Sequence, residues 1–202
     1  MMSSSAASRR EATLVRRGML LEWGTLGWNV VGVVVLGFLA ASSSSVALLG
    51  FGIDSLIEIA ASGVVLWELS SVGEHHRRFA LRLIGFAFIA LAGYLLIQSA
   101  VALATQHHAS PSAAGIAWTG VTAIVMFGLA FGKTRTGRAL ENPVLITEAK
   151  VTVIDGILAC AVLAGVALDL LFGWWWADPI AGCVIVFYAV REAISIFRST
   201  AA

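Results

Sequence analysis

A chain of 202 residues that is 59% hydrophobic and only 12% charged, with a mean hydropathy of +0.90, carries more apolar side chain than a soluble domain can bury. Its formal net charge of +1, with no long basic run, gives no footing for a nucleic-acid partner. The solvent such a chain is built for is lipid.

The chain opens on a serine-rich stretch with two arginine pairs, Arg9-Arg10 and Arg16-Arg17. The apolar segment that follows is too long for the core of a signal peptide, so residues 1–17 read as a cytoplasmic tail and residues 18–202 as one membrane domain. A helix of about 20 apolar residues crosses a hydrocarbon core of roughly 30 Å. Six segments of that kind follow in order: Leu20–Ala41, Val46–Leu69, Phe79–Ala104, Ala113–Gly132, Val144–Phe172 and Pro179–Ile196. The expected fold is therefore an all-α membrane protein of six transmembrane helices.

Each proline follows a residue able to cap a helix, in Ser110-Pro111, Asn142-Pro143 and Asp178-Pro179. Proline at the first helical position predicts the starts of helices four, five and six. Gly73, Gly132 and Gly173 lie just past apolar stretches, where glycine closes a helix in the left-handed conformation. The basic residues gather at one side. Arg9, Arg10, Arg16 and Arg17 precede helix one, Arg77, Arg78 and Arg82 follow helix two, and Lys133, Arg135 and Arg138 follow helix four. Arg191 and Arg198 close helix six, and Lys150 lies in the first turns of helix five. Lys and Arg in short loops are retained on the cytoplasmic side, which places both termini there. Trp67 then marks the inner interface and Trp174-Trp175-Trp176 the outer one.

Carboxylates inside spans cost several kcal/mol each and call for a reason. Helix two enters from outside, putting Asp54 about 12 Å and Glu58 about 18 Å deep; helix five enters from inside, putting Asp155 at about 16 Å. Asn29 on helix one falls at a similar level. Asp54 and Glu58, four apart, stack on one helical face, where two carboxylates repel unless a cation or protons intervene. With Asp155 facing them, three carboxylates converge on one buried point and can hold a divalent ion, helped by Asn29, Thr152 or water. The bland alternative is three acids held neutral and hydrogen-bonded between helices; their common depth on two helices argues for the ion. Glu22, Glu148 and Glu192 form a second tier nearer the cytoplasm. Glu148, two turns from Asp155, suits an inner vestibule, or an interfacial pair with Lys150 or a loop arginine.

Cys160 and Cys183 lie within spans in no metal-binding spacing and read as small packing residues. His75-His76 and His107-His108 fall in loops, which leaves the spans without the nucleophile and base that an intramembrane hydrolase needs. The chain is not expected to be an enzyme, nor to carry a cofactor.

Three stretches resemble the cation diffusion facilitators. Helix two reads Ser45-Val46-Ala47-Leu48-Leu49-Gly50-Phe51-Gly52-Ile53-Asp54-Ser55-Leu56-Ile57-Glu58, helix five Thr152-Val153-Ile154-Asp155-Gly156-Ile157-Leu158, and helix six opens on Trp176-Ala177-Asp178-Pro179-Ile180-Ala181-Gly182. The resemblance implies a six-helix exporter that exchanges a divalent metal for protons, with Asp54, Glu58 and Asp155 as ligands. Two features depart from the family pattern. Val151 stands where a His or Asp usually completes the site, so an oxygen-only set is expected to accept manganese or iron beside zinc. The chain also ends at Ala202, directly after helix six, without the family's cytoplasmic domain, so that any homodimer would rest on helix packing. Two alternatives stay open: a metal-binding regulatory protein of the same fold without turnover, and a transporter of a small organic cation held by the carboxylates and Trp28. A bacterial inner membrane is the expected location.

Overall fold

The computed structural model describes residues 2–69, 74–106, 109–110 and 112–201. Gly73, His107, His108 and Pro111 lie outside the described residues, as do the side chains of Trp67, His75 and His76. The chain forms six helices and, among the described residues, no strand: α1 (Met2–Ser43), α2 (Val46–Leu69), α3 (Glu74–Thr105), α4 (Ala113–Ala139), α5 (Pro143–Phe172) and α6 (Ala177–Ala201). Among the described residues five of them, α1, α3, α4, α5 and α6, contain stretches long and apolar enough to cross a membrane, and part of α2 lies outside those residues. The outer surface is apolar. Phe38, Ile124, Leu171, Val34 and Phe131 project outward with about 70% or more of each side chain exposed in most cases, and polar residues are turned inward. Such an inverted arrangement suits a hydrocarbon solvent.

Helix α1 runs unbroken through the residues expected to form a tail. Its 42 residues extend over roughly 60 Å, about twice a hydrocarbon core, so its first turns stand clear of the apolar span. The bundle alternates in direction. Ser110 N donates to Ser43 O at 2.8 Å, setting the start of α4 beside the end of α1, while Gly132 near the other end of α4 faces Leu21. A Cβ at Gly132 would come within 2.9 Å of Leu21 Cδ2. Gly132 is thus a point of close helix approach inside α4, not the cap expected from its position, and α4 continues past it to Ala139. The most extensive packing joins α4 to α5, α3 to α6 and α1 to α2.

The helix ends follow the expected chemistry only in part. Pro143 does open α5, with Asn142 Oδ1 accepting from Leu145 N at 3.1 Å. At α4 the cap is Ser112, whose hydroxyl accepts from Gly115 N at 3.0 Å, and not Ser110. Gly173 takes the left-handed conformation with φ +66°, as its position after α5 predicts. Ser44, Gln106 and Glu141 do the same after α1, α3 and α4, with φ of 54°, 52° and 52°. Three ordinary side chains therefore occupy positions where glycine would be easier. Cys160 is exposed on the outer surface and does not pack inside; Cys183 is half-buried.

Asp178 overturns a further expectation. It lies one residue inside α6, which begins at Ala177, and its carboxylate reaches across to the start of α2. Oδ2 accepts from Val46 N at 2.9 Å and from Ala47 N at 3.4 Å, and Oδ1 accepts from the Ser45 hydroxyl. A charged acceptor at a helix N-terminus satisfies free amides and complements the dipole. The residue that sequence assigns to capping α6 therefore caps α2 and pins the two helices together. Asp178→Ala is expected to destabilise the folded chain by about 1–2 kcal/mol, with Asp178→Asn losing less, read from thermal unfolding in detergent.

Candidate cation site

On α1 the buried positions include Gly18, Glu22, Thr25, Asn29, Gly32, Leu36 and Ala40, a helical stripe whose first half is largely polar. On α5 they include Leu145, Glu148, Thr152, Asp155, Ala159, Val162, Val166 and Asp169. Most polar members of both stripes lie toward the end of the bundle that holds the chain termini; Asp169 lies at the other end. Asp54 and Glu58 lie one turn apart on α2, buried against both neighbours at 3% and 2% exposure.

The inner tier closes around a residue that sequence reading placed in a loop. Lys133 is part of α4 and wholly buried. Its ammonium donates to Glu22 Oε2 at 3.1 Å, to Glu148 Oε2 at 2.5 Å and to Thr152 Oγ1 at 3.1 Å, joining α1, α4 and α5 at one point. Glu148 is therefore paired with Lys133 and not with Lys150, which is exposed. Among the described residues Lys133 is the one buried Lys or Arg. The signal for it was present in α4: Thr119, Thr122, Met126, Lys133 and Thr136 fall on one helical face, with Arg135 and Arg138 turned outward.

Above this tier, Asp155 lies in the electrostatic field of Glu58 and Asp54, and Glu58 in that of Glu148, Asp155, Lys133 and Asp54. The Glu58 and Asp155 carboxyls meet side chain to side chain, while neither Glu58 oxygen nor Asp155 Oδ2, all buried, receives an N–H or O–H from any other residue; Asn29 Nδ2 is likewise buried without a partner. The three central acids share a buried level across α2 and α5 as expected. Glu58 and Asp155 meet, with Asp54 in the field of Asp155, and among the described residues no group of three acid, histidine or cysteine side chains is arranged to hold a metal ion. Like charges repel where no cation lies between them, and Lys133 is engaged on the tier below. Thr152, an expected helper, is turned to that lower tier through Lys133 and accepts no place beside Asp155. Val151 is half-buried one position off the α5 stripe. Glu192 is half-buried and within the field of Asp54. Asp169, buried near the far end of α5, was not singled out in the sequence; its field reaches Asp178.

The profile of the cation efflux transmembrane domain matches residues 25–202. The chain belongs to the cation diffusion facilitators. No curated protein matches it significantly. The facilitator match covers α2 to α6 whole and α1 from Thr25 onward, so every central acid lies inside it and Glu22 lies before it. Membership makes this facilitator a multi-pass membrane protein that transports cations, in a family of transporters and not of enzymes.

In this facilitator the lower tier carries a testable energetic cost. Removing Lys133 leaves Glu22 and Glu148 facing each other without a counter-charge, whereas removing all three charges leaves none. Lys133→Met is expected to destabilise by about 3–5 kcal/mol, and Glu22→Gln/Lys133→Met/Glu148→Gln to recover most of that loss, measured by chemical unfolding in detergent.

Proposed function

We propose that the chain exports divalent metal ions in exchange for protons, with Asp54, Glu58 and Asp155 as the carrying carboxylates. The observation that supports this reading best is the buried pair of carboxyls, Glu58 and Asp155, which meet across facing helices and receive no hydrogen from any other residue, in a cation-transporting family. Groups of that kind are strong acceptors with two stable fillings, a cation or protons, and a switch between fillings is what antiport requires. Metal binding draws α2 and α5 together around the ion, with Asn29 Nδ2 turned aside so that its carbonyl oxygen joins the set. Protons arriving from outside release the ion outward. Zinc is the first substrate, with manganese and iron accepted because the donors are oxygens and Val151 supplies none.

In this arrangement α2 is the sixth span and both termini are cytoplasmic. The supporting features are Arg135 and Arg138 at the end of α4 beside the chain ends, and the stacked pair Trp174 and Trp176 at the other, their rings 5.2 Å apart. An organic-cation substrate fits less well. The Trp28 ring is stacked flat on Trp118 at 5.2 Å with its Nε1 donating to Thr122, which leaves less of it open to a cation.

The test is metal flux in proteoliposomes under an imposed pH gradient. Wild type is expected to move zinc and manganese only when the gradient is present, and Asp54→Asn/Asp155→Asn to reduce that flux to background. Undiminished flux in the double variant would remove the carboxylates from the mechanism. Metal binding without flux in wild type would favour a regulatory protein of the same fold.

A further inference from the structure

Lys133 stands outside the carrying set, yet it lies within the field of Glu58 on the side of the chain termini. It is completely buried, held by two carboxylates from different helices, and each of those carboxylates keeps a second oxygen, Glu22 Oε1 and Glu148 Oε1, buried and without a partner. The unused oxygens and Thr152 Oγ1 provide more donors than a single ammonium takes up.

We infer that Lys133 is a tethered stand-in for a cation, occupying an inner divalent-cation site formed by Glu22, Glu148 and Thr152. The inference rests on the transport reading, whose inward path it completes. A divalent ion displaces the ammonium only in passing: it neutralises both carboxylates where the ammonium neutralises one, but the tether keeps the ammonium at hand, so at equilibrium wild type holds Lys133 in the site. A monovalent ion exchanges like for like and gains nothing, so the tether selects for charge. The displaced side chain, on its flexible four-carbon stem, is already within the field of Glu58. When the ion moves on to the central acids, Lys133 returns to Glu22 and Glu148 and shuts the path behind it. One ion then passes at a time.

The experiment counts manganese ions bound per full-length chain in detergent at equilibrium. Lys133→Gln is expected to bind one more ion than wild type, Lys133→Arg no more, and Glu22→Gln/Lys133→Gln/Glu148→Gln to lose the extra ion. Manganese is also expected to raise the thermal midpoint of Lys133→Gln more than that of wild type. Equal stoichiometry in Lys133→Gln and wild type overturns the inference, as does an extra ion that survives loss of both glutamates. Failure of the central-site reading gives a different pattern, no ion in wild type and one in Lys133→Gln. Glu22→Gln/Lys133→Gln keeps the wild-type net charge and serves where the single variant does not fold. It is expected to bind the extra ion more weakly, and no gain there overturns the proposal as well.

Discussion

Charge buried out of water is the constraint on which the rest of this molecule depends. A carboxylate or ammonium moved into a low-dielectric interior is costly unless an opposite charge and hydrogen bonds meet it. The protein meets that cost in one place and leaves it open in another. At the inner tier, Lys133 draws Glu22 from α1 and Glu148 from α5 onto α4. At the central level, the Glu58 and Asp155 carboxyls meet each other and receive no hydrogen from any other residue. The first tier fixes how three helices pack, and the second leaves a buried pair of acids with no counter-charge of its own.

The packing of the bundle serves this division. In lipid no hydrophobic drive brings helices together, so close approach depends on small residues and on polar contacts between helices. Gly132 against Leu21 brings α1 and α4 near enough for Glu22 to reach Lys133 in the adjoining position. At the opposite end, Asp178 ties the first turn of α6 to the free amides at the start of α2. That helix carries Asp54 and Glu58, so the clasp sets the height at which they stand. The two polar fastenings lie at opposite ends of the central acids.

Much of the candidate site was legible in the chain because buried acids are rare in apolar spans, and depth along a helix follows from counting residues. Asp54, Glu58, Asp155, Asn29, Glu22 and Glu148 all proved to be buried. Lys133 was not legible in the same way. It sits at the edge of an apolar stretch, next to Gly132 and two arginines, where local composition matches a cytoplasmic loop. Only its phase on α4 relative to Thr119, Met126 and Thr136 separates it from Arg135 and Arg138. Asp178 misled for a related reason. Asp-Pro is a good helix start by local rules, and the amides it serves are 132 residues away in the chain.

The sequence by itself determined the class of protein, the apolar helices, the buried acids and the family, since each depends on composition or on spacing within one helix. The tertiary structure decided which charges meet. It gave Glu148 to Lys133 and not to Lys150, gave Asp178 to α2 and not to α6, and brought Glu58 of α2 against Asp155 of α5. Pairing between helices depends on rotation and close approach of whole elements. Neither quantity is written in any local stretch of residues.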